Sequence, residues 1–245
     1  MIWYHIDTGQ NNGLFNMQFD IDLINLMKNQ NSVLRFYQWK PYCISLGANQ
    51  CISEIDIDKA KADNIDIVKR PTGGRAILHS DELTYSVVFP LSSEFSARKI
   101  YNEVNLAIKK GLELFNPKLK RIELENKQID LKNFYKKDIS SACFAVSSQF
   151  EINFEGKKLV GSAQRKIGNA VLQHGSILCG NFHLKLVNYL NLNSLRKNEI
   201  LEELKNTTID LKTILKKEIE INFLSECIKK GFEEHFNIAF KKLNV

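Results

Sequence analysis

The run Arg70-Pro71-Thr72-Gly73-Gly74-Arg75-Ala76-Ile77-Leu78-His79 sets paired glycines between arginines, directly after a stretch that reads as a strand. Glycines let a backbone approach a ligand closely, and the arginines add positive charge, so the loop suits an acyl carbonyl, a phosphate or an adenylate. A plain two-glycine turn fits the composition equally well. Cys143, in Ser140-Ser141-Ala142-Cys143-Phe144, has small neighbours that would leave a thiol uncrowded. A buried, inert cysteine is the ordinary alternative, and spacing alone does not make this one a nucleophile. Lys158 opens the stretch Lys158-Leu159-Val160-Gly161-Ser162-Ala163. Facing inward, its ammonium needs an anion, and a thiolate would serve and be activated in return. Facing outward, as Lys157 is expected to, it would be one more surface charge. His79 and His174 sit in loop or glycine-flanked settings and fit lining roles better than a catalytic base, since no third orienting group can be placed by sequence.

Strands and helices must bring these groups together. Residues 2–7 read as a strand closed by a turn over 9–13, and Met17, Ile21, Ile24 and Met27 then recur at helical spacing. Residues 33–39 are β-branched and aromatic, and Pro41 follows them. Ser53 is placed to cap a short helix reaching residue 62, and strands follow at 66–69 and 83–89. From Ser96 onward, Tyr101, Val104, Ile108, Leu112 and Phe115 form one helical stripe. Residues 117–140 are charged and aperiodic, which predicts a mobile connection over the site. Phe150, Ile152 and Phe154 alternate with Glu151 and Asn153 as in a half-exposed strand, and Gly156-Lys157 supplies a hairpin turn into 158–164. A third strand at 170–178, a stripe of Leu224, Ile228 and Phe232, and a terminal strand within 237–242 complete the pattern. These elements predict one α+β domain over residues 1–245, with a mixed, largely antiparallel sheet packed by helices.

Composition narrows the function. The five cysteines are scattered and include no CxxC pair, so neither a disulfide framework nor a metal site is expected. No apolar run reaches membrane-spanning length and the first ten residues carry no leader pattern, which predicts a cytoplasmic protein that does not bind membranes. The net charge of +6 favours anionic partners, yet the lysines are dispersed and no nucleic-acid motif accompanies them. A solvated lysine-rich surface accounts for most of this charge, and an acidic carrier protein is the best specific partner.

Several stretches, in order, resemble the lipoate–protein ligase and octanoyltransferase superfamily, whose catalytic domain is similar to that of biotin–protein ligases. They are Asn16-Met17, Ser45-Leu46-Gly47 with Gln50, Lys69 to Ala76, Glu82-Leu83-Thr84-Tyr85-Ser86, Gly156 to Gln164, and Leu172-Gln173-His174-Gly175-Ser176-Ile177-Leu178. Ala142-Cys143-Phe144 resembles the cysteine-dependent octanoyltransferase branch. That resemblance implies an acyl-thioester on Cys143, activation of the thiol by Lys158, and a pocket lined by Arg70, Gly73, Gly74, Arg75, His79, Gly161, His174, Gly175 and Ser176. It implies octanoyl-acyl carrier protein as donor, its acyl group carried on a phosphopantetheine thioester. The implied acceptor is a lipoyl-carrier protein, the glycine-cleavage H protein or lipoyl domains of 2-oxoacid dehydrogenases. No metal or diffusible cofactor is implied, and a monomer is expected. The sequence departs from the family at Gln18-Phe19-Asp20 and after Phe144, positions that bear on the acyl pocket more than on mechanism. The competing functions are an ATP-dependent lipoate–protein ligase, an octanoyl amidotransferase between lipoyl domains, and a non-catalytic carrier-binding module. A cysteine at the nucleophile position, and an end at Val245 without room for a ligase's extra domain, weigh toward the transferase.

Overall fold

The protein is described from a computed structural model covering residues 1–27, 31–124 and 151–243. Along the chain run β1 (Trp3–Asn11), α1 (Gly13–Leu26), β2 (Ser32–Trp39), β3 (Cys43–Leu46), α2 (Ile57–Ala62), β4 (Asp66–Lys69), β5 (Ile77–His79), β6 (Glu82–Pro90) and α3 (Ala97–Phe115). After these come β7 (Ile122–Leu124), β8 (Ile152–Phe154), β9 (Lys157–Ile167), β10 (Ala170–Leu178), α4 (Ser194–Thr207), α5 (Leu211–Leu215), α6 (Ile221–Phe236) and β11 (Phe240–Lys242). An eight-stranded sheet has the order β11-β1-β2-β6-β10-β9-β8-β7, and β4-β3-β5 form a smaller one. In the large sheet β11, β1 and β2 pair in parallel and the remaining neighbours are antiparallel. The fold is therefore α+β with a mixed, largely antiparallel sheet.

Strand alternation assigns the two faces of the large sheet different tasks. Leu34, Phe36, Leu83, Tyr85, Val87, Phe89, Val171 and Ile177 face a core closed by α3 and α6, through Val104, Ile108, Leu112, Leu224, Ile228 and Phe232. The stripe from Tyr101 to Phe115 was legible because Ser96 caps α3, its hydroxyl accepting from Lys99 N, and because the helix is apolar on one side only. On the opposite face, Val33, Val88 and Leu172 pack against Leu23 and Met27 of α1. Further along the same strands that face turns polar: Arg35, Ser86 and His174 are cross-strand neighbours, as are Tyr37, Thr84 and Ser176.

Several expectations need correction. Residues 9–11 do not turn but continue β1 past a register shift between Asp7 and Gln10, and α1 starts after Asn12, whose side chain accepts from Phe15 N. The buried side of α1 is Gly13, Asn16, Met17, Asp20 and Leu23, whereas Ile21 is exposed. Met17, Ile24 and Met27 of the expected stripe do pack inward, and the helix in addition buries Asn16 and Asp20, which bond Arg35. Asp56, not Ser53, caps α2, and Ser53 lies in a short 3-10 turn, Ile52–Glu54. The hairpin turn is at Glu155-Gly156, where both φ angles are positive, so Lys157 already belongs to β9. Glu151 and Asn153 are buried, not exposed. Asn237 ends α6, and the terminal strand shortens to Phe240–Lys242. Within the predicted mobile connection, residues 117–124 form a 3-10 turn and β7, and the remainder lies outside the described residues, as do Phe150 and Cys143 with its neighbours.

Candidate active site

The glycine loop is held from within by the arginine that begins it. Arg70 is buried, and its guanidinium donates to Ser45 O at 2.8 Å, Ser45 Oγ at 3.2 Å, Gly73 O at 2.9 Å and Arg75 O at 2.7 Å. This fork geometry spends the charge on fixing the loop's backbone. The loop then meets the end of β3 very closely. A Cβ on Gly47 would lie 1.9 Å from Gly74 O, and Gly74 itself has φ +99°.

Two chains of carboxylate, imidazole and hydroxyl brace this loop. In the first, His79 Nδ1 lies 2.8 Å from Glu82 Oε1 and its Nε2 lies 2.8 Å from Ser45 Oγ, which in turn accepts from Arg70. Because Glu82 Oε1 also accepts from Thr84 at 2.6 Å and Ser176 at 2.7 Å, it is ionised and draws the Nδ1–H toward itself. Burial pushes the Glu82 carboxyl up, but His79 and the two hydroxyls outweigh it and hold the value below that of an ordinary glutamate. Trp39 stacks on the His79 ring at 4.1 Å. In the second chain, His174 Nδ1 lies 3.2 Å from Asp20 Oδ2 and Nε2 lies 2.6 Å from Thr72 Oγ1. Burial drives the His174 value down despite its carboxylate partner. Burial raises Asp20, while His174, Arg35 and Ser86 lower it further, to a net value below that of an ordinary aspartate. Both imidazoles thus have both ring nitrogens engaged.

Lys158 and Glu151 form a third group. The Lys158 ammonium is 3.0 Å from Glu151 Oε2, with the two side chains 4% and 5% exposed. Sequence left Lys158 between inward and outward orientations; it faces inward, and the anion it meets among the described residues is a carboxylate. Ile209 N donates to Lys158 O at 3.0 Å, which ties the strand on its other side.

These groups converge on one cavity lined by both polar and apolar side chains. Arg70, His79, Lys158, Gly161, His174, Gly175 and Ser176 line it, joined by apolar surface from Met17, Tyr37, Trp39 and Ile77. Gly73 and Gly74 stand behind Arg70 rather than on the lining, and Arg75 turns away toward Glu54 at 3.4 Å. Gly175 keeps the floor open, since a Cβ there would lie 2.5 Å from Gly161 O. Cys143 lies outside the described residues. No cluster of three or more metal-ligating side chains occurs among the described residues. Sequence reasoning missed Glu82, Ser45, Asp20, Tyr37 and Glu151. Polar residues two apart in apolar strands, as in Glu82-x-Thr84-x-Ser86, carried the signal for the first, whereas Glu151 had none.

The chain is similar to known proteins over most of its length. Residues 12–233 match the model of the lipoyl protein ligase A/B catalytic domain. The chain is 33% identical over 250 residues to octanoyltransferase LipM of Macrococcus caseolyticus, covering 99% of this chain and 90% of the relative. It is also 33% identical over 253 residues to octanoyltransferase LipM of Staphylococcus epidermidis, covering 100% and 90%. A bipartite lipoate protein ligase from Thermoplasma acidophilum, solved in a study of that ligase and its E2 lipoyl domain, superposes with a TM-score of 0.76 at 18% identity, over 100% of this chain and 88% of that one. That last likeness concerns the fold.

Proposed function

The chain belongs to the lipoyl protein ligase A/B catalytic domain family, and from that premise we propose that it is an octanoyltransferase acting on a lipoyl-carrier protein. The observation that carries this reading is the full-length likeness to proteins named octanoyltransferase LipM. The cavity supports it: apolar lining for an acyl chain lies beside a buried ammonium.

The reaction divides into two exchanges, the advantage of covalent catalysis. In the first, the Cys143 thiolate attacks the carbonyl of octanoyl-acyl carrier protein, the C–S bond to phosphopantetheine breaks, and the carrier leaves as its thiol. Lys158 favours the thiolate by its charge. In the second, the ε-amine of a lysine on the acceptor, the glycine-cleavage H protein or another lipoyl domain, attacks octanoyl-Cys143. An amide forms, the amine gives up a proton, and Cys143 returns as a thiol. The oxyanion of each step is met by backbone N–H groups. The chemistry calls for neither metal nor diffusible cofactor. Selection of chain length is graded, because each methylene contributes only about 0.8 kcal/mol.

Intact-protein mass spectrometry after mixing with octanoyl-acyl carrier protein, without ATP, tests the proposal. The expected result is a hydroxylamine-labile octanoyl adduct on the wild type, absent from Cys143→Ala and discharged by a lipoyl-carrier protein. Carrier acylation that needs free lipoate and ATP would make the protein a ligase instead. An adduct formed only from an octanoylated lipoyl domain would make it an amidotransferase.

A further inference from the structure

We propose that Glu151 is the positioning residue for Lys158, holding its ammonium on the cavity lining; the inference rests on the acyl-thioester reading above. Two observations carry it. First, the pair is buried and bonded at 3.0 Å, and both partners line the cavity. Second, the cavity's other ionisable groups are tied elsewhere. Arg70 is bonded to loop carbonyls, His79 and His174 have both ring nitrogens engaged, and Tyr37 donates to Asp20 at 3.3 Å. Tyr85, beneath the floor, is bonded to Ser162 at 2.7 Å and pushed by burial to about 12.

A buried amine without an anion beside it favours its neutral form, and a neutral amine gives a thiolate no charge stabilisation. An ammonium also has three donors, and one bond to Glu151 fixes the axis about which the other two are disposed. The strand geometry makes the contact possible. Glu151 immediately precedes β8, whose Asn153 is the register partner of Lys158 on β9. Glu151 therefore acts through Lys158.

The test is the rate of Cys143 octanoylation from octanoyl-acyl carrier protein across pH, for wild type, Glu151→Gln, Glu151→Asp, Lys158→Met and the Glu151→Gln/Lys158→Met double variant. Glu151→Gln is expected to slow acylation roughly tenfold or more. It should also move the alkaline fall in rate to lower pH, with Glu151→Asp recovering most of both. In the Lys158→Met background Glu151→Gln should add nothing further, the signature of two residues acting as one unit. The double variant is uncharged and close in volume, so it keeps a folded reference even where Glu151→Gln alone is destabilised. An unmoved alkaline fall, a faster first step in Glu151→Gln, or independent multiplication of the two effects would overturn the proposal alone. No adduct on the wild type would defeat the acyl-thioester reading and this inference together.

Discussion

Replacing Asp20 by asparagine should remove the keystone under the cavity at a cost that can be worked from its contacts. The carboxylate accepts from Arg35 Nη1 at 2.7 Å, Ser86 Oγ at 2.7 Å, His174 Nδ1 at 3.2 Å and Tyr37 OH at 3.3 Å. Asparagine keeps one accepting oxygen, so its amide N–H groups must face two of these donors. Arg35, with no exposed side-chain surface, would retain its charge among neutral partners, Thr8, Asn16 and the rings of Phe19 and Tyr37. Breaking a buried pair by removing one partner costs about 3–5 kcal/mol. For a chain of this size, at about 2–4 °C per kcal/mol, the melting temperature should fall by roughly 6–20 °C. Urea unfolding and thermal melts measure it, with Asp22→Asn on the exposed side of α1 as a control expected within about 0.5 kcal/mol. The pH dependence adds a second reading. Asp20 has a folded pKa below that of an ordinary carboxylate, so its contribution is complete above about pH 4 and is lost as pH falls through the folded value. The variant should lack that part of the acid sensitivity. A destabilisation below about 1 kcal/mol at neutral pH would refute the view that Asp20 compensates Arg35.

Three further outcomes can be checked. Gly47→Ala places a methyl group into Gly74 O, so the glycine loop must shift; activity should fall at least about tenfold with a loss of roughly 1–3 kcal/mol in stability, measured by turnover and urea unfolding. Glu82→Gln loses a carboxylate whose folded pKa is depressed, so its stability should decline less than the wild type's as pH drops below about 4.3, seen in melts at a series of acid pH values. Among the described cysteines, Cys51 is exposed and its thiolate is favoured by the hydrogen bond from Ser53, while burial pushes the Cys43 and Cys179 thiols up; maleimide labelling followed by peptide mapping should therefore modify Cys51 and spare the other two in the native state.

What sequence reveals about this molecule follows from how local each determinant is. The α3 stripe and the β8–β9 hairpin were readable because a cap, a stripe and a glycine turn all act within a few residues. On α1 the stripe found Met17, Ile24 and Met27 but not Asn16 and Asp20, whose burial is decided by Arg35, on β2, and not by helix hydrophobicity. Glu151 looked solvent-facing for a related reason. Alternation around Ile152 and Phe154 assigns two faces to a strand but does not say that both are covered. The motifs did find the cavity's Arg70, His79, Lys158, Gly161, His174, Gly175 and Ser176, yet they could not separate lining residues from the loop behind them.

That separation changes what Arg70 and the two histidines are for. Each carries a charge or a ring nitrogen of the kind expected to touch substrate, and each is already bonded to the protein at that atom. Glu82 and Asp20, far apart in sequence, occupy equivalent ends of two similar chains, and both chains terminate on hydroxyls that abut the glycine loop. A loop held from both sides keeps its backbone in one arrangement beside the cavity. On the proposed transferase reading, the Lys158–Glu151 pair is where a conservative substitution should alter the pH profile and not merely the rate.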